Sequence, residues 1–74
     1  DTHNLTEREM ETLSLLAAGL GKKQIGDKLG ISEFTVAAYI RNIYAKLEVV
    51  NAPAAVSQAY RKGILTTGFP ESRD

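Results

Sequence analysis

Arg41 is the side chain of this sequence whose type and setting point most directly to a chemistry. At about 100° per residue, it lies at the centre of a helical face that Phe34, Ala38 and Ala45 also share. This face is slim and carries few acidic side chains, whereas a merely solvated face is usually crowded with Glu and Lys. A guanidinium can donate two hydrogen bonds to O6 and N7 of guanine, and alanine methyls can contact a thymine methyl. The pattern predicts a recognition helix that enters a DNA major groove, which is roughly 12 Å wide.

The segment 22–47 contains the elements that would position this face. Ile25 and Leu29 stand four residues apart, as on one side of a short helix, and Gly30 follows where a left-handed residue often ends a helix. Ser32 can then cap a second, longer helix. The inner face of that helix is an apolar stripe of Val36, Ile40, Ile43 and Leu47. A short helix, a turn that contains glycine and a longer helix predict a helix-turn-helix.

Two further helices are predicted on either side of this segment. Thr6 and Glu9 have the spacing of a capping box at a helix start, and Gly19 ends that helix. Asn51 can cap a fourth helix, with Pro53 in its first turn. The predicted fold is therefore all-α, with helices at about 7–18, 22–29, 33–47 and 52–62. The expected core consists of Leu13, Leu16, Ile25, Leu29, Val36, Ile40, Ile43, Leu47 and Val56. The apolar side of the fourth helix is expected to consist of Ala55, Val56, Ala59 and Tyr60.

Length and composition restrict the classes of function. The 74 residues suffice for one small domain, and the absence of cysteine excludes disulfides and thiolate metal sites. Neither a signal-peptide pattern nor an apolar run of membrane-spanning length is present, so we expect a cytoplasmic protein. No paired carboxylates, histidine cluster or nucleophile arrangement indicates an enzyme, and we expect no metal or cofactor.

The charge distribution is compatible with a nucleic-acid partner. Nine basic and nine acidic residues cancel over the whole chain. The segment 21–48, however, holds five basic and three acidic residues, a net charge of +2, whereas residues 1–20 carry −3. The positive charge thus coincides with the predicted helix-turn-helix, where an electrostatic footprint for DNA should lie. Because the footprint is weak, we expect modest affinity from one copy.

Three signatures stand in register along the chain. They are Leu5-Thr6-x-Arg8-Glu9, Ile31-Ser32-Glu33-x-Thr35-Val36 and Asn42-Ile43-x-x-Lys46-Leu47-x-Val49. Together they make the chain resemble the LuxR-type (GerE) helix-turn-helix domain of bacterial transcription regulators. The resemblance runs over residues 5–65, which we expect to form the domain, with a frayed segment at 1–4 and a flexible tail at 66–74.

The resemblance implies a sequence-specific DNA-binding output domain, with helix three as the recognition helix and helix four as the dimerisation helix. The implied base contacts are Ala37, Ala38 and Arg41. The implied phosphate contacts are Lys22, Lys23, Thr35, Asn42 and Lys46. The surface of helix four expected at a dimer interface comprises Ala54, Ser57, Gln58 and Arg61. The implied partners are double-stranded DNA, a second copy on that DNA, RNA polymerase, and an upstream receiver or ligand-sensing domain. A receiver domain would make the whole protein a response regulator.

Several positions depart from the family pattern. Gly21-Lys22-Lys23 stands where the family usually has a Ser-Asn-Lys or similar run, and only the lysine is kept. Gly26 replaces a usual alanine, Ala37 a basic residue, Tyr39 a histidine and Ala52 an arginine. These departures bear on base preference and affinity.

Two other functions remain open from the sequence. The promoter-reading region of a sigma factor shares the first two signatures, although such a region usually ends with its recognition helix. Alternatively, Ala37, Ala52, an exposed Phe34 and zero net charge would fit a helix-turn-helix repurposed for protein–protein interaction. Salt-dependent binding to any duplex would discriminate DNA binding from protein interaction.

Overall fold

The computed structural model describes residues 4–65, which form four α-helices and no β-strand. The helices are α1 (Glu7–Ala17), α2 (Lys22–Leu29), α3 (Glu33–Leu47) and α4 (Ala52–Arg61). The predicted all-α, four-helix fold is therefore confirmed. Among the described helices, none is both long enough and apolar enough to cross a membrane.

Side-chain caps define where three of the helices begin. The Thr6 hydroxyl accepts a hydrogen bond from the Glu9 N–H at 3.1 Å, and the Glu9 carboxylate accepts one from the Thr6 N–H at 3.0 Å. This reciprocal pair is the capping box predicted from the sequence. Ser32 and Asn51 likewise accept a hydrogen bond from the N–H three residues later, at 3.0 and 2.8 Å. Each cap satisfies an N–H that has no partner within its helix.

All four helices end in the same way, with one residue in the left-handed conformation. This residue is Gly19, Gly30 and Gly63 after α1, α2 and α4, but Glu48 after α3, with φ of 60°. In each case the next N–H donates to the carbonyl five residues earlier, as in a Schellman motif. These bonds join Leu20 to Leu15, Ile31 to Gly26, Val49 to Tyr44 and Ile64 to Ala59. Of these four residues only Glu48 carries a Cβ, and a Cβ makes the left-handed conformation cost roughly 1–2 kcal/mol.

The core consists of two adjoining clusters. One joins α1, α3 and α4 through the buried residues Leu5, Leu13, Ile43, Leu47, Ala55 and Ala59. The other joins α2 and α3 through Ile25, Val36 and Ile40, with Leu15, Leu16, Leu20, Leu29 and Ile31 packed against it. Tyr44 contacts both clusters, and α3 packs against each of the other three helices. The position of α3 is thus determined from three sides.

The predicted core needs three corrections. Leu16, Leu29 and Val56 are only half-buried, whereas the others on the predicted list are buried. On α4 the fully buried residues are Ala55 and Ala59, whose small side chains let the helix approach closely. Tyr60 is 40% exposed, because it lies about 140° around α4 from Ala55.

Gly26 lies where α2 approaches the turn into α3. A Cβ at this position would be 2.7 Å from the backbone oxygen of Ile31, closer than real contacts allow. That oxygen belongs to backbone and cannot move aside without shifting the turn. The missing side chain therefore permits the present approach of α2 to the turn, although glycine weakens a helix by about 1 kcal/mol.

The ends of the domain differ slightly from the prediction. The first and fourth helices end one residue earlier than predicted, since Ala18 and Lys62 are C-cap residues. Asn4 was assigned to a frayed segment, but its carbonyl accepts a hydrogen bond from the Lys46 ammonium at 2.8 Å. The rest of that segment, residues 1–3, and the tail at 66–74 lie outside the described residues.

Candidate nucleic-acid interface

The outer face of α3 lies opposite the stripe that enters the core. Val36, Ile40, Ile43 and Leu47 are all at most 5% exposed. On the other side Arg41 is exposed, Ala37 and Ala38 are half-buried, and Phe34 is 80% exposed. The structure thus places Arg41 and the two alanines on the side of α3 away from the core, as the spacing predicted for Arg41 and Ala38. A guanidinium flanked by methyl groups can donate to guanine and contact thymine methyls.

The start of α2 carries two exposed lysines, Lys22 and Lys23. They follow Gly21, which has no side chain with which to cap the helix, although the Gln24 amide oxygen accepts from the Gly21 N–H at 2.8 Å. Backbone N–H groups and the helix dipole favour an anion at a helix N-terminus. Two ammonium groups beside such a terminus make this end of α2 suited to a phosphate.

Thr35 and Asn42, two of the expected phosphate contacts, already have neighbours within the protein. The Thr35 hydroxyl is 2.9 Å from the Ser32 hydroxyl, and Thr35 itself is half-buried. Asn42 is exposed, and its side chain is one of the groups that lower the pKa of the Glu9 carboxyl. A hydroxyl and an amide each keep further hydrogen-bonding capacity, so both groups can still donate a hydrogen bond to a phosphate.

Lys46 takes part in a contact that sequence reasoning missed. Its ammonium donates to the Glu9 carboxylate at 2.7 Å and to the Asn4 carbonyl at 2.8 Å. The pair joins the first turn of α1 to the last turn of α3, across 37 positions of sequence. An ammonium has three N–H donors, so one remains for a further acceptor. No spacing rule relates two residues so far apart in the sequence. In addition, the capping box already explained why a glutamate stands at position 9.

The Glu9 carboxylate is the acceptor at which these contacts converge. Its side chain is only 4% exposed, and burial, the largest single influence, would by itself raise its pKa. Donors from Lys46, the Thr6 backbone and Asn42, together with the charge of Lys46, outweigh burial. The net result is a pKa of Glu9 below its ordinary value of 4.5. Glu9 is therefore an anion at neutral pH, held between α1 and α3.

The expected interface on α4 is only partly open. Ser57 and Arg61 are exposed, whereas Ala54 and Gln58 are half-buried. Pro53 and Tyr60 are also exposed, which moves the accessible stripe of α4 toward Tyr60. Within residues 4–65 there is no cluster of three or more His, Cys, Asp or Glu side chains that could hold a metal ion.

A short helix, a tight glycine turn and a longer helix with an exposed outer face define a helix-turn-helix domain. The sequence profile described as "Bacterial regulatory proteins, luxR family" matches residues 3–59. The chain belongs to this family, so the resemblance seen in its three signatures is confirmed. It is a DNA-binding regulatory domain and not an enzyme.

Two relatives illustrate the relationship. The HTH-type transcriptional regulator MalT of Yersinia pestis (strain Pestoides F) is 40% identical over 60 residues, covering 81% of this chain and 7% of that protein. Transcriptional regulatory protein YdfI of Bacillus subtilis (strain 168) is 45% identical over 62 residues, covering 84% of this chain and 29% of that protein. The chain thus spans a minor part of the length of each of these relatives.

Proposed function

We propose that the chain is a sequence-specific DNA-binding output domain of a bacterial transcriptional regulator, with α3 in the major groove. The exposure of Arg41 at the centre of the outer face of α3 is the observation that carries this proposal. In helix-turn-helix proteins the second helix enters the groove and the first crosses the backbone. By the same docking, Ala37, Ala38 and Arg41 face base edges, while Lys22 and Lys23 at the start of α2 contact phosphates.

The remaining phosphate contacts would come from the flank of α3. Thr35, Asn42 and Lys46 lie along that flank, and Thr35 and Lys46 are already hydrogen-bonded within the protein. Their intramolecular bonds hold the donors in position before DNA arrives, which reduces the entropy lost on binding. In this arrangement Lys46 uses its third N–H for phosphate while two others remain on Glu9 and Asn4.

The test begins with a duplex selected from a random library and then compares variants on it. Arg41→Ala is expected to weaken binding to the selected duplex by about 1–3 kcal/mol and to relax selectivity at one base pair. Arg41→Lys keeps the charge but loses the two-pronged donor, so selectivity should fall while non-specific affinity persists. Titration by fluorescence anisotropy at several salt concentrations measures both quantities.

Lys22→Ala provides the matched control for Arg41. A phosphate contact carries no sequence information, so this change should weaken all duplexes alike and reduce the salt slope by about 0.9. Affinity and selectivity that both survive Arg41→Ala would contradict base reading by α3.

We also propose that the domain binds DNA as a dimer through α4. The support is electrostatic: roughly four phosphate contacts per copy would give a salt slope near −3.6, shallow for tight binding. The accessible stripe of α4 includes Ser57 and Arg61, with Ala54 and Gln58 at its edge. Such a small face favours a weak two-fold contact that forms on DNA rather than in free solution.

Sedimentation on a duplex with two half-sites tests the dimer. Half-sites about 10 bp apart, one helical turn, should bind two copies cooperatively. Moving one half-site by about 5 bp places the copies on opposite sides of the duplex and should abolish cooperativity. Ser57→Trp should do the same while leaving binding to a single half-site unchanged. Two copies that bind independently at both spacings would exclude this dimer.

The other proposed partners are an upstream receiver or ligand-sensing domain and RNA polymerase. The greater length of the relatives supports the upstream domain. Of the competing functions, a sigma-factor region is disfavoured by α4, whose Ala55 and Ala59 complete the core. Protein interaction is favoured by one observation, the 80% exposure of Phe34. Binding to duplex DNA that weakens with salt would exclude protein interaction as the sole role.

A further inference from the structure

Phe34 is the one large apolar side chain on the outer face of α3. It is the second residue of that helix and 80% exposed, and it belongs to neither core cluster. Helix propensity does not explain it either, since Phe is a poorer helix former than Ala, Lys or Glu. Neither packing nor local structure therefore accounts for an aromatic ring at this position.

The position of the ring restricts what it can contact. Phe34 precedes Ala37, Ala38 and Arg41 by three, four and seven residues, so all four side chains share one face of α3. The N-terminal residues of a recognition helix are those that reach base edges. The short side chains of Ala37 and Ala38 let the backbone come close to the groove, which brings the longer Phe34 side chain against the bases.

The chemistry of the ring then selects one base. A phenyl group has no donor or acceptor, so it cannot hydrogen-bond to a phosphate or to the polar edges of guanine, adenine and cytosine. In the major groove the one apolar base substituent is the 5-methyl group of thymine. We propose that Phe34 is a specificity-determining residue that contacts the methyl group of a thymine next to the bases read by Ala37, Ala38 and Arg41. This inference rests on the proposed DNA-binding function.

A protein partner is a poorer occupant for this surface. Docking sites for proteins are contiguous apolar patches. The next large exposed apolar residue in the described chain is Val50, 86% exposed, beyond the far end of α3. A helix of 15 residues is about 22 Å long, so the two side chains do not form one patch. An isolated ring on the same helix face as a guanidinium suits a groove of bases better.

The test removes the methyl group from the DNA and the ring from the protein separately. Duplexes are selected from a random library with the 74-residue chain, and each thymine of the selected site is then replaced by deoxyuridine. One replacement should weaken binding by about 4-fold, the effect of one lost methyl contact. Phe34→Ala should bind the original duplex at least as weakly as the parent binds the deoxyuridine duplex. Its own affinity should not change when that thymine is replaced. A second selection with Phe34→Ala should lose the preference for thymine at that position alone.

Val50→Ala is the matched control, because it removes an equally exposed apolar side chain outside α3. It should keep the full response to deoxyuridine. Circular dichroism should show Phe34→Ala folded, as expected for a side chain outside the core. If the parent is insensitive to deoxyuridine at every position, or if Phe34→Ala retains the response, the methyl contact is wrong while DNA binding stands. If no duplex is enriched and DNA binding does not depend on salt, the proposed function itself fails.

Discussion

Replacing Ile40 by alanine is expected to lower the free energy of unfolding by about 2–5 kcal/mol. Ile40 is 5% exposed and packs with Ile25 and Val36 in the cluster that joins α2 to α3. Removing its outer carbons leaves a cavity that these two helices can fill only by moving together. A domain of this size has a total stability of roughly 4–11 kcal/mol, so the loss would be a large share. Urea denaturation followed by circular dichroism measures it.

Two further variants make the result specific to the core position. Ile40→Val removes one carbon and should cost only about 0.5–1.5 kcal/mol. Phe34→Ala removes a larger side chain from the same helix, but one that is 80% exposed. Its effect on stability should stay within about 0.5 kcal/mol. An Ile40→Ala variant that unfolds at the same urea concentration as the parent would contradict the helical register of α3.

Replacing Lys46 by methionine is expected to lower the free energy of unfolding by about 1–3 kcal/mol. The change keeps the apolar stem of the side chain but removes the ammonium that lies 2.7 Å from the Glu9 carboxylate. Glu9, 4% exposed, would then be a buried anion without its cation, which is a costly state. The expected cost lies below that of a fully buried pair because the Lys46 side chain is 31% exposed.

The Glu9–Lys46 pair should also make stability depend on pH in a definite direction. Because the pKa of Glu9 is below 4.5 in the folded protein, the unfolded chain binds more protons as the pH falls through that region. The stabilisation is therefore complete above the ordinary pKa and is lost as the pH falls through the folded value. Glu9→Gln should remove this part of the acid destabilisation, so the difference in stability between parent and variant should shrink from pH 6 toward pH 3.

The double variant separates the pair from its parts. If Glu9 and Lys46 stabilise each other, Glu9→Gln combined with Lys46→Met should cost less than the two single changes added together. Strict additivity, or a Lys46→Met variant as stable as the parent, would show that the contact contributes nothing to folding. The proposed phosphate contact would then be the remaining role for Lys46.

Short stretches of sequence determine where most helices of this domain begin and end. The starts of α1, α3 and α4 follow from Thr6, Ser32 and Asn51, and three helix ends follow from glycines. The outer face of α3 was predictable because its buried stripe repeats with the helical period. Each of these features depends on residues within a few positions of one another, so local physical chemistry decides it.

Some local features were predicted imperfectly, for reasons that are also local. The end of α3 at residue 47 was predicted correctly, but the left-handed conformation of Glu48 was not, because glycine usually takes that position. Tyr60 was expected on the apolar side of α4, yet it is 40% exposed, and Ala55 and Ala59 define the buried side. A helix packs on the side that can come closest to its neighbours. Small residues allow a closer approach than a large one, so their side can be the buried one.

Other features were decided only when the helices came together. The contact of Glu9 with Lys46 requires the first turn of α1 to meet the last turn of α3. The need for glycine at position 26 appears only because the Ile31 carbonyl lies against that side of α2. Neither can be deduced from sequence spacing, because the partners meet through the relative placement of whole segments. That placement is set by the shared core, which residues of all four helices build jointly, and no single stretch of sequence contains it.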